Sequence, residues 1–139
     1  MFDVLDEKQV QYEIVKEIKQ NTEATAYYEF TTGKIYFRED MVDSPIQLRY
    51  FASHELIHKI RYEAGVWTGN SALEEVVAIM MAEEISDFVG FGSFSIDEKF
   101  YIEKTLAGEG LDQKSVPSDL KKYFEETRKL FREWKTKWE

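Results

Sequence analysis

The sequence predicts a mainly helical α+β domain, and three observations predict it. Apolar residues recur at helical spacing through most of the chain. Two short runs rich in aromatic and β-branched residues flank a glycine turn. Serine-led starts of the form Ser-x-x-Glu or Ser-x-x-Gln, and closing glycines, divide the helical stretches into separate units.

Taken in order, residues 6–20 place Val10, Ile14, Val15 and Ile18 on one stripe, so an amphipathic helix is expected there. Residues 25–30 and 34–38 are the two β-like runs around Thr31-Thr32-Gly33, and they predict a small antiparallel hairpin over about 24–38. Ser44-Pro45-Ile46-Gln47 is a capping box with proline in the first turn, opening a helix to about Glu63. Ser71-Ala72-Leu73-Glu74 opens the next helix, to about Val89. Ser95-Ile96-Asp97-Glu98 opens a fourth, to about Ala107. The last starts near Pro117-Ser118 and carries Leu120, Tyr123, Phe124, Thr127, Leu130, Phe131, Trp134 and Trp138 at helical spacing. Five helices and one hairpin result.

No repeat or linker interrupts the 139 residues, and 43% hydrophobic content suits one packed core, so 1–139 is expected to be a single domain. The absence of cysteine excludes disulfides, thiolate metal ligands and cysteine nucleophiles. A net charge of -9 makes nucleic acid an unfavourable partner. The start Met1-Phe2-Asp3-Val4-Leu5-Asp6 lacks a basic leader region, and no apolar run reaches the ~18–20 residues of a membrane span. A cytoplasmic domain is the expectation. Oligomeric state has no legible signal.

Both histidines of the chain lie in His54-Glu55-Leu56-Ile57-His58. Residues four apart on a helix are neighbours one turn apart, so both imidazoles can face one Zn²⁺. Glu55 is rotated enough not to compete as a ligand, yet near enough to take a proton from zinc-activated water. A third protein ligand must be a carboxylate, since no other His and no Cys exist. Glu74, Glu75, Glu83 and Glu84 are the candidates in the following helix. Glu74 is the capping-box partner of Ser71, which favours Glu75, on a stripe with Ala72, Ile79 and Ala82. Glu74 stays the alternative.

His54 and His58 followed by Glu75 resemble the gluzincin metallopeptidases. The segment from Gly33 to about Ile85 resembles more specifically the ImmA/IrrE family. The phrases Phe51-Ala52-Ser53-His54-Glu55-Leu56-Ile57-His58 and Leu73-Glu74-Glu75-Val76-Val77-Ala78 carry the likeness. Ile57 stands where that family usually has glycine, and Ile79 where many gluzincins have an aspartate. The resemblance implies a zincin-like domain and a zinc-dependent peptidase of a protein or peptide substrate, such as a regulatory protein. It implies that Ile35, Tyr36 and Phe37 form a rim strand that binds peptide by strand addition. It also implies a further hydrogen-bond donor, for which Tyr62, Tyr101 and Tyr123 are candidates. The alternative is a catalytically silent or latent zincin fold that binds a protein partner. The final helix carries seven Lys/Arg and four Asp/Glu over 120–139, against eleven and 23 over 1–119. Core packing, a lid on the cleft and partner binding are its three candidate roles.

Overall fold

The computed structural model describes residues 1–137. The chain order is α1 (Phe2–Glu7), β1 (Tyr12–Val15), β2 (Ala26–Glu29), β3 (Lys34–Arg38), α2 (Pro45–Glu63), α3 (Ser71–Val89), α4 (Glu98–Glu109) and α5 (Lys121–Thr136). Short 3-10 turns precede α2 and α5. The fold is the expected mainly helical α+β class.

The expected helix over 6–20 does not form. α1 stops at Glu7, and Gln9 takes a left-handed φ of 57° that redirects the chain. Tyr12–Val15 then runs parallel to β3, with Tyr12 opposite Ile35 and Val15 opposite Arg38. Two forces favour the strand. Tyr, Ile and Val suit an extended chain, and the open edge of β3 offers backbone partners that a local helix would forgo. Ile14, a member of the supposed buried stripe, is 43% exposed. The sheet is therefore mixed, in the order β1-β3-β2.

The β2–β3 hairpin forms as expected, with Tyr28 opposite Ile35, and Gly33 supplies the positive φ of 76° its turn needs. β3 is the middle strand, and its Ile35 and Phe37 are fully buried. Those side chains pack on Leu56, Ile57 and Ile60 of α2, which joins the sheet to the helices in one core.

At none of the three serine-led starts does the serine side chain cap the helix. Ser44 occupies the cap position of α2, but its side chain makes no capping bond. Asn70, not Ser71, caps α3, accepting from the Leu73 amide at 3.1 Å. Asp97, not Ser95, caps α4, accepting from the Phe100 amide at 3.1 Å. α5 starts at Lys121, beyond Pro117. Trp138, placed on its stripe by the sequence, lies outside the described residues.

α2 and α3 lie antiparallel. Near the start of α2, Arg49 donates to the carbonyls of Phe91 and Ser93, just past the end of α3 (3.2 Å each). Near its end, Arg61 pairs with Glu74 in the first turn of α3. That guanidinium is fully buried. It also donates to Glu126 at 2.8 Å and to the Thr127 hydroxyl at 3.0 Å, both on α5. α5 adds the fully buried Phe131 to the core. Its Arg128 reaches Glu84 at the surface at 2.7 and 3.0 Å.

Arg61→Ala leaves Glu74 and Thr127 buried without their partner. It is expected to cost about 3–5 kcal/mol of stability, measured by urea unfolding. Arg128→Ala breaks a half-exposed pair and is expected to cost less than about 1 kcal/mol in the same assay.

Candidate metal centre

α2 carries the His-Glu-x-x-His segment on a face turned toward α3 and toward β2. Helical geometry sets His54 and His58 one turn apart, and their Nε2 atoms are 3.1 Å apart. Glu75 reaches across from α3. Its Oε2 lies 3.2 Å from His54 Nε2 and its Oε1 lies 2.7 Å from His58 Nε2. Both histidines are buried, at 6% and 5% exposure. The ligand atoms of all three side chains fall within 4.8 Å of one another. A tetrahedral zinc ion at its usual bond lengths sets its donors about 3.3 Å apart. The three side chains bring their donors to 2.7–3.2 Å, close enough to converge on one ion with small adjustments, and two imidazoles with one carboxylate are donors zinc accepts. The residues fit the ion that the sequence implies.

The other carboxylates named from the sequence are engaged elsewhere. Glu74 is fully buried and accepts from Arg61 at 2.7 and 3.2 Å and from the Thr68 hydroxyl at 2.9 Å. An ion pair, not the expected capping box, occupies it. Glu83 accepts from the Ile96 amide at 2.7 Å, and Glu84 pairs with Arg128. Glu75 alone of the four meets the histidines.

Burial and charge oppose each other at the site. Burial alone would lower the His58 pKa, but the Glu75 carboxylate against it prevails and lifts it to about 9. Burial would likewise raise Glu75, but His58 and His54 hold it well below the usual carboxylate range. Glu55 is pushed up, chiefly by burial, and its neighbouring histidines only partly offset this. Its Oε2 accepts the backbone N–H of Tyr28 in β2 at 3.0 Å. The hairpin thus positions the carboxylate that α2 carries.

Neither His54 Nδ1 nor His58 Nδ1 has a hydrogen-bond partner among the described residues, and both are sealed from solvent. Ring packing orients the imidazoles instead. Tyr50 lies 5.6 Å from the His54 ring and Trp67 lies 5.5 Å from the His58 ring, centroid to centroid. Sequence reading missed both. Tyr50 had a signal, since it stands one helical turn before His54. Trp67 had none, because its loop path is not encoded in local spacing.

The centre forms the floor of a cleft of about 900 Å³. β2 and the chain leading into it form one wall, and Tyr101, Lys104 and Glu109 of α4 stand in the other. Ile35, Tyr36 and Phe37 do not line it, because β3 is the central strand. The rim strand is β2. Tyr62 and Tyr101 line the cleft, and Tyr123 does not. No described residue of α5 lines it either, so that helix is a core element rather than a lid. Burial raises the Tyr50 phenol first, and Glu75 raises it further, so that it stays protonated.

No family model matches the chain, and neither a curated protein nor a solved structure matches it. No helix among the described residues is long and apolar enough to cross a membrane.

With His58 protonated at neutral pH, a metal must displace a proton to reach Nε2. Zinc affinity is therefore expected to rise about tenfold per pH unit from pH 6 to 8 and to level off above about 9. Competition with a chromophoric chelator measures it.

Proposed function

We propose that the chain is a zinc-dependent endopeptidase of the gluzincin type, related to the ImmA/IrrE proteins. His54, His58 and Glu75 hold the ion in this reading, and Glu55 is the general base. The observation that carries it is the meeting of three ligand atoms within 4.8 Å, beside a buried and anchored Glu55, on the floor of an open cleft.

A bound zinc ion supplies Lewis acidity toward a carbonyl oxygen and lowers the pKa of water. The chain's own groups do the rest. Glu55 has one oxygen fixed by the Tyr28 amide, so the other is free to accept the proton of an attacking water. Burial makes Glu55 a stronger base than an exposed glutamate. It then returns the proton to the leaving amine, which departs neutral.

β2 offers the substrate a backbone edge. Arg38 N–H donates to the Thr25 carbonyl at 3.0 Å and Gly33 N–H to the Glu29 carbonyl at 2.8 Å. Alternation along an antiparallel strand then turns the polar groups of Ala26 and Tyr28 away from β3. Glu55 takes the Tyr28 N–H. The Ala26 amide and the carbonyls of Ala26 and Tyr28 remain for an extended peptide. A protein substrate in the cytoplasm belongs to the same proposal.

Purified wild type is expected to hold one zinc per chain by plasma emission analysis and to cleave members of a quenched-fluorescence peptide library. Glu55→Gln is expected to keep the zinc and lose at least about 10²-fold in rate. A wild type without stoichiometric zinc defeats the reading. Undiminished cleavage by Glu55→Gln removes Glu55 from the reaction.

A further inference from the structure

The cleft carries two unlike surfaces toward its His58 end. The first is aromatic. Trp67 packs on the His58 ring at 5.5 Å, Tyr62 on Trp67 at 6.1 Å and Phe30 on Tyr62 at 5.4 Å, centroid to centroid. All three rings line the cleft, and Phe30 and Tyr62 are 56% and 41% exposed. Phe30 directly follows β2, so a peptide added to the β2 edge runs toward these rings.

The second surface is acidic. Gly108 and Glu109, in the last turn of α4, line the same cleft. Carbonyls at a helix C-terminus carry partial negative charge, which adds to that of the Glu109 carboxylate. Leu106 of α4 packs with Ala72 and Val76, so this end of α4 lies by the start of α3, where α3 meets the His58 end of α2. Burial and then the Glu75 carboxylate raise the Glu109 pKa to about 7, and of the two imidazoles His58 opposes this more strongly than His54. Glu109 stands outside the cluster of metal-ligand atoms. It has no ion pair among the described residues. Lys104, the one Lys or Arg that lines the cleft, lies over the Phe100 ring at 5.8 Å.

An unpaired carboxylate and exposed aromatic faces in one end of a cleft suit a cation on an apolar stem. An aliphatic side chain would cover the rings and leave the carboxylate unpaired. An acidic side chain would be repelled by it. Lysine and arginine satisfy both surfaces.

We propose that Glu109 and the rings of Trp67, Tyr62 and Phe30 form a subsite for a lysine or arginine side chain of the substrate. This rests on the peptidase reading given above. Glu109 pairs with the cationic head, and the rings cover the methylene stem. Trp67 touches His58, so the basic residue falls within about two positions of the cleaved bond, an extended chain advancing about 3.4 Å per residue. Glu109 selects the substrate and takes no part in the proton transfers of Glu55.

The probe is a set of N-acetylated peptides in which lysine or norleucine is walked along one sequence. With zinc-loaded wild type, one position is expected to favour lysine by about tenfold or more in kcat/KM. Glu109→Gln is expected to cut that ratio to less than about threefold, and Glu109→Lys to invert it. Glu103→Gln, an exposed residue of α4 that does not line the cleft, is expected to keep it. A second readout needs no turnover. In the Glu55→Gln background, calorimetry compares the same two peptides, and the advantage of lysine is expected to shrink in Glu109→Gln and with added salt. A wild type indifferent to lysine at every position overturns the proposal, as does a preference that survives Glu109→Gln. A preference seen only with a free N-terminus also overturns it, by assigning Glu109 to a terminal amine. If wild type cleaves no peptide, the peptidase reading falls, and the calorimetric ratio still decides the subsite.

Discussion

The site depends on the register between α2 and α3, and one buried ion pair sets that register. Arg61 stands three residues after His58, and Glu74 stands beside Glu75. When the Arg61 guanidinium closes on Glu74 at 2.7 Å, His58 and Glu75 are brought to the same distance of 2.7 Å. A slip of one turn along the helix axes would move the pair about 5.4 Å, and Glu75 would miss both imidazoles. A buried pair of this kind contributes little net stability compared with apolar replacements. Its value lies in making wrong registers costly, because each would leave a desolvated charge unpaired.

The same economy holds on the other side of the cleft. The core face of the sheet packs Ile35 and Phe37 against α2, so the hairpin cannot shift without opening the core. That packing brings the Tyr28 amide to Glu55. Three carboxylates with three fates follow from their partners. Glu74 faces a guanidinium, Glu75 faces two imidazoles, and Glu55 faces one backbone amide in a desolvated place. Burial leaves the Glu55 pKa raised, while the two imidazoles hold that of Glu75 low.

Local chemistry was legible in the sequence, and long-range pairing was not. The spacing of His54, Glu55 and His58 fixes their geometry within a single helix, so it could be read directly. The bounds of α2 and α3 were readable for the same reason, although Asn70 rather than Ser71 caps α3. Glu75 was reached by elimination, with a capping role assigned to Glu74 that the Arg61 pair in fact fills. No local pattern connects residues 61 and 74, so the true reason was hidden. β1 was misread because its helical stripe competes with a strand partner more than twenty residues away. The rim strand was misassigned because strand order is a tertiary property. The chain gives two candidate edges, and only the arrival of β1 on one side of β3 leaves β2 free beside the cleft.

The basic final helix is the last case of a sequence feature whose meaning is set by its neighbours. Two of its cations meet the body, Arg128 at Glu84 and Lys135 at the Phe88 carbonyl (3.2 Å). Its buried face carries Thr127 and Phe131, and Glu126 and Thr127 complete the shell around Arg61. α5 therefore bears on the His54, His58 and Glu75 cluster through the register of α2 and α3, from the side away from the cleft. A truncation before α5 would strip partners from a buried guanidinium that stands three residues from His58. Lost activity in such a variant would report a disturbed register, and it would carry no information about a lid. The helix that borders the cleft is α4, whose Tyr101 packs on Tyr50 while its far end, at Gly108 and Glu109, stands in the cleft wall.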